Sequence, residues 1–568
     1  MVESVGELNR EFIRKAQAAQ LTTDCLADGN FGSTIAIVCE APGFRETQLK
    51  VPLVGGSGRF LWDVLKGFGL HRQHFYITNV VKRQLIDSKG GGSHQWGDGG
   101  KKGIARNELA HWTALLKWEL SQLPNLKHIL VLGDIALQAI VGQSGIDQWR
   151  GSVVGDGERD FIIAHNPANI LRKPSLEPIF RLDISKLDMV RRGVWREYNV
   201  TPIYDPSPNE AVQWCDRMIQ EGKPVSFDIE VIANETACIG FANDAHEGMC
   251  INFRGLSNNR WTVAEEAQVR RAIQRVLRHA SVQLVAQNGC FDSAWLWYKD
   301  RIKAKPLWID TLLAHHTLHP TWPHNLGFLT AQYTTHPFYK NEKSDWKEGG
   351  NIADFWIYNV KDVCITWEVA RRIEKELASQ KLWDFYRNHV MRLQPHLIAS
   401  TVLGNRVDIA MRKQLEMEFG TSVDKLSAEF VAAARIATGD DTINPNPNSP
   451  QQLGKLFFEQ LRLRGKTAST DEANRLVMIE NPHTSDAARH MLILLNKYKE
   501  QHKLYSTYIT AEIDPDNRMR SDYKQYGTQF VPGRLSSSHT LWGSGMNLQN
   551  QPEMLRGMFI ADRMMFDD

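Results

Sequence analysis

Four short runs rich in β-branched and other apolar residues, 34–39, 75–80, 128–132 and 161–164, alternate with stretches of helical periodicity, and that alternation admits few folds. Strands joined through helices lie parallel, and the helices cover both faces of the sheet. Residues to about 192 are therefore expected to form an α/β unit. The same grammar restarts near residue 200, with strand-like runs at 225–229, 237–242, 249–253 and 283–286. Thr262 with Glu265 three residues on forms a capping box, and Val269, Ile273, Val276 and Leu277 make the apolar stripe of the helix it opens. From about residue 384 long helical stretches take over, such as 421–437 and 486–502, with a turn cluster at Asn444-Pro-Asn-Pro-Asn-Ser-Pro450. A Gly- and Lys-rich segment, 87–102, reads as a mildly basic surface loop. The chain is thus read as α/β and multidomain. At 568 residues it is too long for one core, and roughly three or four domains are expected.

Composition excludes some classes. The net charge is only +2, so any nucleic-acid surface must be a local patch. Seven cysteines occur without a CxxC pair, which fits a reducing cytosol and argues against a disulfide framework or zinc ribbon. Residues 1–20 lack an apolar h-region, and no run approaches the roughly 20 apolar residues of a membrane span. No signal peptide and no membrane partner are expected, and a cytoplasmic location is.

The chemistry-bearing residues concentrate in the second segment. Asp228 and Glu230 alternate on a strand and share one face. Asp292 closes Asn288-Gly-Cys-Phe-Asp292, just after the strand at 283–286. Tyr358 and Asp362 stand four apart in a helical stretch and share a face. Four converging carboxylates repel one another unless cations lie between them. Two divalent ions, Mg²⁺ or Mn²⁺, would relieve the repulsion and do chemistry, one activating water and the other stabilising a leaving 3′ oxygen, with Tyr358 orienting the water. The bland alternative is a solvated acidic surface. In order and placement these elements resemble the three motifs of the DEDD exonuclease superfamily, in the subclass with Tyr in the third motif. Asp310-Thr-Leu-Leu-Ala and Pro323-His-Asn-Leu326 extend the likeness over about 202–381. The resemblance implies an RNase H-like, metal-dependent 3′→5′ DNA exonuclease of the kind that proofreads for family A polymerases, with Asp228, Glu230, Asp292 and Asp362 as ligands.

Five further motifs follow in order: Asn446-Pro-Asn-Ser-Pro-Gln-Gln-Leu453, Lys466-Thr-Ala-Ser-Thr-Asp471, Lys503-Leu-Tyr-Ser-Thr-Tyr508, Gly533-Arg-Leu-Ser-Ser-Ser538 and Asn547-Leu-Gln-Asn-Gln-Pro552. Together they resemble the thumb and first palm strands of family A DNA polymerases. The resemblance implies a grip on DNA by Asn288, Lys503, Ser506, Thr507, Arg534, Ser536 and Ser537 on backbone groups, and by Asn547, Gln549 and Asn550 in the minor groove. Pro532 replaces the usual Thr, and Leu541-Trp-Gly-Ser-Gly545 splits two motifs. The first metal-binding palm aspartate is expected about a dozen residues past Arg556-Gly-Met-Phe559, beyond Asp568. The expectation is therefore a second polypeptide that carries the remaining palm and fingers, pairs open strand edges and covers apolar surface around Met558, Phe559, Ile560, Met565 and Phe566.

In the first segment, Ile37-Val-Cys-Glu40-Ala-Pro-Gly43, Val51-Pro-Leu-Val-Gly-Gly-Ser-Gly58, Tyr76-Ile-Thr-Asn79-Val, Ile129-Leu-Val-Leu-Gly133 and His165-Asn-Pro-Ala168 are ordered along the chain. Glu40, Asn79 and His165 each follow or end a predicted strand, on the rim where parallel sheets build sites. The set resembles the uracil-DNA glycosylase superfamily, nearest family 4, which implies base flipping into a pocket of Glu40, Glu46, Leu53, Asn79, His165 and Asn166. Asn79 would bond the base edge. Leu53 stands where a stacking Phe is usual, Asn166-Pro-Ala displaces His165 by one, and Arg83 replaces a cluster cysteine, so no iron–sulfur cluster is expected. An active glycosylase, a domain that binds a base or template without cleaving, and a structural appendage all remain open.

The reading is a glycosylase-like α/β/α domain over 1–195, an exonuclease domain over 196–385, and a mainly helical thumb with incomplete palm over 386–568. It implies a subunit or fragment of a bacteriophage-like replicative polymerase acting on primer–template and single-stranded 3′ ends, in the bacterial host cytoplasm if phage-encoded. The alternatives are a DNA-binding, damage-sensing accessory subunit and a stand-alone repair nuclease or glycosylase.

Overall fold

The computed structural model describes residues 2–85, 104–254, 260–342, 351–527 and 533–562. The segment expected as a basic loop, 87–102, and Pro532, Met565 and Phe566 lie outside them. The chain divides into two compact units. One comprises Met1–Ile232, Thr236–Gln287 and Leu307–Trp383, the other Ala233–Glu235, Asn288–Pro306 and Asp384–Asp568.

The first unit holds two six-stranded sheets. The N-terminal sheet runs Asp28–Gly29, Tyr76–Asn79, Ile35–Cys39, His128–Leu132, Asp160–Ala164, Val153–Gly155 across its width, with the four inner strands parallel and both edge strands antiparallel. Its strands are apolar on both sides, because alternate residues enter two different cores. Ala36, Val38, Ile129 and Val131 pack with Phe12, Trp112 and Leu116 of two helices. Ile35, Ile37, Leu130 and Leu132 pack with Leu61, Val64, Phe180 and Ile184 of two others. An α/β/α sandwich follows directly from that double burial.

The second sheet runs Ile309–Asp310, Gln283–Ala286, Pro224–Ile232, Glu235–Ala242, Glu247–Asn252, Thr201–Tyr204. Val263–Arg278 begins at Thr262 with the expected capping box and packs against Pro208–Glu221. Ile352–Ser379, a 28-residue helix, lies against the strands Pro224–Ile232 and Glu247–Asn252. It comes unusually close, because a Cβ on Gly240 would stand 2.5 Å from Asn359 Oδ1 and one on Gly248 would stand 2.9 Å from Cys364 Sγ.

In the second unit, Ile409–Thr438 and Asp486–Lys503 pack along each other around Phe430, Met491, Leu492 and Leu495. The first of these helices begins twelve residues ahead of the expected 421, at an Asp408 cap that accepts Ala410 and Met411 N–H; Gly420 inside it interrupts the helical signal. Asn405–Val407 pairs antiparallel with both Arg518–Met519 and Phe559–Ile560. This corrects the expectation of uncovered surface at Met558 and Phe559, at the last described strand. Met558 is fully buried beside Val407, Leu415, Ile509 and Met519, and Phe559 packs on the same cluster. Among the described residues of that expected surface, Ile560 alone is exposed.

Candidate functional site

The strand Pro224–Ile232 delivers Asp228 and Glu230 to one face, and the helix Ile352–Ser379 delivers Tyr358, Asn359 and Asp362 on successive turns. Carboxylate oxygens of Asp228, Glu230 and Asp362 lie within 4.8 Å of one another. Glu230 and Asp362 are buried. At about that separation each like-charged pair repels by roughly 3 kcal/mol even at an effective dielectric near 20. Three hard oxygen donors held together against that repulsion suit a hard divalent cation.

Neighbouring side chains fix the donors. Asn359 Nδ2 donates to Asp228 Oδ2 at 3.0 Å. The Tyr339 hydroxyl donates to Asp362 Oδ1 at 2.5 Å, and Lys340 Nζ reaches both Asp362 oxygens at 2.6 Å and the Tyr358 hydroxyl at 2.9 Å. Burial first, then the charges of Asp362, Glu230 and Asp228, push the Tyr358 hydroxyl far above the ordinary phenol range. The shift favours the neutral phenol, whose O–H can donate to a water. Asp292, the fourth expected carboxylate, is buried in the first turn of Cys290–Tyr298 and belongs to the second unit. Asn288, also in that unit, has a left-handed backbone (φ 59°) and accepts from Tyr526 at 3.4 Å.

The N-terminal sheet places Glu40, Asn79 and His165 at the carboxyl edges of three parallel strands. The register pairs Cys39 with Asn79. Glu40 accepts Ile135 N–H at 3.1 Å and Asn166 Nδ2 at 2.5 Å. Gly133 makes room for it, since a Cβ there would stand 2.4 Å from the Glu40 carboxyl carbon. Glu46 accepts Gly55 N–H at 2.8 Å, and Gly43 and Gly55 crowd it so closely that a Cβ on either would meet its oxygens. Leu53 is buried with φ 55°. His165 is buried, its Nε2 lies 3.6 Å from Asp147, and burial lowers its pKa. Asn166 is committed to Glu40 on one side and to capping Ala168 N–H on the other.

A buried network behind Asn79 escaped the sequence reading. Lys82 Nζ donates to the Asn79 carbonyl at 2.8 Å and to Glu119 at 2.7 Å, and Glu119 also accepts from Tyr76 and Thr78. Lys82 follows Asn79 by one short turn, which was its only signal. Tyr339 and Lys340 carried none, because nothing in their spacing ties them to Asp362. Arg83, at the position of a cluster cysteine, makes a two-pronged ion pair with Glu108 at 2.8 Å.

The expected grip residues lie in the second unit. Lys503, Ser506, Thr507, Arg534, Gln549 and Asn550 are exposed. Ser536 sits on the short strand Ser536–Ser538. Ser537 is buried and donates to Asn547 Oδ1 at 2.7 Å, so that pair is engaged internally.

Residues 26–208 match the family described as the uracil DNA glycosylase superfamily, and residues 207–378 match the family described as 3′–5′ exonuclease. Among curated relatives, the DNA polymerase I of Helicobacter pylori strain J99 is 32% identical over 153 residues, which is 26% of this chain and 15% of that protein. The type-4 uracil-DNA glycosylase of Archaeoglobus fulgidus is 28% identical over 199 residues, 33% of this chain and 92% of that enzyme. The DNA polymerase of Bacillus phage SP01 is 20% identical and aligns with 90% of this chain and 62% of its own length. The chain thus spans only part of the polymerases it matches.

Proposed function

We propose, for a chain that belongs to the uracil-DNA glycosylase superfamily over residues 26–208 and to the polymerase-type 3′–5′ exonucleases over residues 207–378, that it removes nucleotides from the 3′ ends of DNA as the proofreading part of a family A polymerase. One observation carries the reading: Asp228, Glu230 and Asp362 share one site with Tyr358 on the adjoining helical turn. Divalent ions, Mg²⁺ or Mn²⁺, held by these carboxylates would supply Lewis acidity at the scissile phosphate. The protein's own part is orientation: Asn359 fixes Asp228, and the neutral Tyr358 hydroxyl aims the attacking water. The test is digestion of 3′-mismatched and single-stranded DNA with and without chelator. Chelation should abolish cleavage, and Asp228→Ala should lower it by orders of magnitude, on the order of 10² or more. Retention of most activity by Asp228→Ala would sink the assignment.

The glycosylase-like domain is best read as a base- or template-binding module. Asn166 is engaged with Glu40 and a helix cap, which leaves Asn79 to face a base edge. Tighter binding of uracil-containing than ordinary single-stranded DNA, lost in Asn79→Ala and without uracil release, is the expected result. Nucleotide addition would come from a completing palm and fingers, in further sequence or in a second polypeptide. Exposed Lys503, Ser506, Arg534, Gln549 and Asn550 would hold the primer–template in the cytoplasm of a bacterial host. Primer extension by residues 1–568 alone, expected to fail, tests the need for completion.

A further inference from the structure

Lys340, like Tyr339, stands at the carboxylate cluster without a motif to announce it, and its geometry is specific. Its ammonium bonds both oxygens of Asp362 at 2.6 Å and the Tyr358 hydroxyl at 2.9 Å, and it lies 4.6 Å from the centre of the Tyr358 ring. The chain just ahead of it is pinned. Phe338 N–H donates to Ser152 Oγ at 2.9 Å, and the Phe338 ring meets Trp149 edge-on at 5.4 Å. Tyr339, 1% exposed, is bonded to Asp362. The short strap 338–340 therefore runs from the glycosylase-like domain straight into the exonuclease centre, and Lys340 has little freedom to lie elsewhere while Asp362 is free to receive it.

Asp362 cannot serve two cations equally. Both of its oxygens face the ammonium, yet Asp362 is one of the three carboxylates whose oxygens converge within 4.8 Å. An ionised carboxylate offers about four lone-pair sites, and Lys340 and Tyr339 already occupy three of them on Asp362, so a divalent ion ligated there competes with the ammonium for the same carboxylate. We propose that Lys340 is a displaceable counter-ion of this centre. It neutralises Asp362 when no divalent ion is bound, leaves that carboxylate when one arrives, and so sets the centre's metal affinity. This inference rests on the exonuclease reading above.

The experiment is Mn²⁺ binding to the full chain, followed by electron paramagnetic resonance, with thermal melting alongside. Wild type should bind Mn²⁺, and Asp362→Asn should lose that binding. Lys340→Met should bind Mn²⁺ about tenfold more tightly, the scale of losing one charge-assisted competitor. It should also melt lower without Mn²⁺ and gain more from Mn²⁺ than wild type does. Lys340→Gln, neutral but still able to donate to Asp362, should shift affinity the same way, and Lys340→Arg should restore the wild-type value. If wild type shows no Mn²⁺ binding that Asp362→Asn removes, the exonuclease reading fails. If wild type binds and both neutral variants bind equally or more weakly, the counter-ion role alone is overturned.

Discussion

Tyr358 keeps its proton. Its hydroxyl is buried among three carboxylates, and each of them opposes a phenolate. Burial and these charges favour the neutral phenol, so no rate limb is expected from this residue. Tyr358→Phe should therefore lower exonuclease turnover by about 100-fold, the scale of misplacing one reacting group, without changing the shape of the pH–rate profile between pH 6 and about pH 9. A profile that loses an alkaline limb in the variant would instead make Tyr358 a base. The same scale shows why part of the centre was legible and part was not. Asp228 and Glu230 are two apart on a strand, and Tyr358 and Asp362 are four apart on a helix, so local periodicity already places each pair on one face. Lys340 and Tyr339 reach Asp362 from a strap whose path is set by Phe338 lodging on Trp149 and Ser152. That is a long-range contact, and no local period encodes it.

At the scale of elements, the helix Ile352–Ser379 rides close to its sheet because Gly240 and Gly248 lack side chains. A methyl on Gly240 meets the Asn359 amide, and the cheapest relief is for that amide to swing away. Swinging breaks its 3.0 Å bond to Asp228. Gly240→Ala should thus cost modest stability, on the order of 1–3 kcal/mol for overpacking, yet reduce exonuclease activity disproportionately. Comparing its melting temperature with its turnover separates these effects; activity that falls only in step with stability would refute the link through Asn359. Element order was readable where the pattern was regular. The α/β/α sandwich follows from strands apolar on both faces, and the capping box at Thr262 lies where it was expected. The long helix from Ile409 was shortened in the sequence reading by Gly420, whose low propensity is overridden by packing against Asp486–Lys503. The last described strand departs from expectation for a related reason. Its partner, Asn405–Val407, lies some 150 residues upstream in sequence, so Met558 was expected at a surface when it is in a core.

At the scale of the first compact unit, its two sheets meet through a polar seam. Arg150 forms a buried, two-pronged pair with Asp183 and stacks 5.0 Å from the Phe328 ring. Beside it the buried Lys186 ammonium donates to the carbonyls of Gly151, in the glycosylase-like domain, and Ala331, in the exonuclease domain. Burial lowers the Lys186 pKa to about 7, opposed by Asp183 and assisted by Arg150. An unfolded lysine titrates near 10.4. Below pH 7 both states hold the proton, and the fold bears the whole cost of burying the charge. Between pH 7 and about 10.4 the unfolded chain binds more protons than the folded one, so stability rises with pH, by up to about 1.4 kcal/mol per pH unit from this group. Above that range both states are neutral and the cost is gone. Lys186→Met keeps the length and removes the proton. It should flatten the pH dependence of unfolding between pH 7 and about pH 10, and its stability relative to wild type should be greatest at the acid end. The check is urea unfolding of both proteins across that range, followed by tryptophan fluorescence; Trp195 lies 5.5 Å from Lys186 Nζ and reports on the seam. An unchanged slope in Lys186→Met would show that the seam's lysine is not the titrating group.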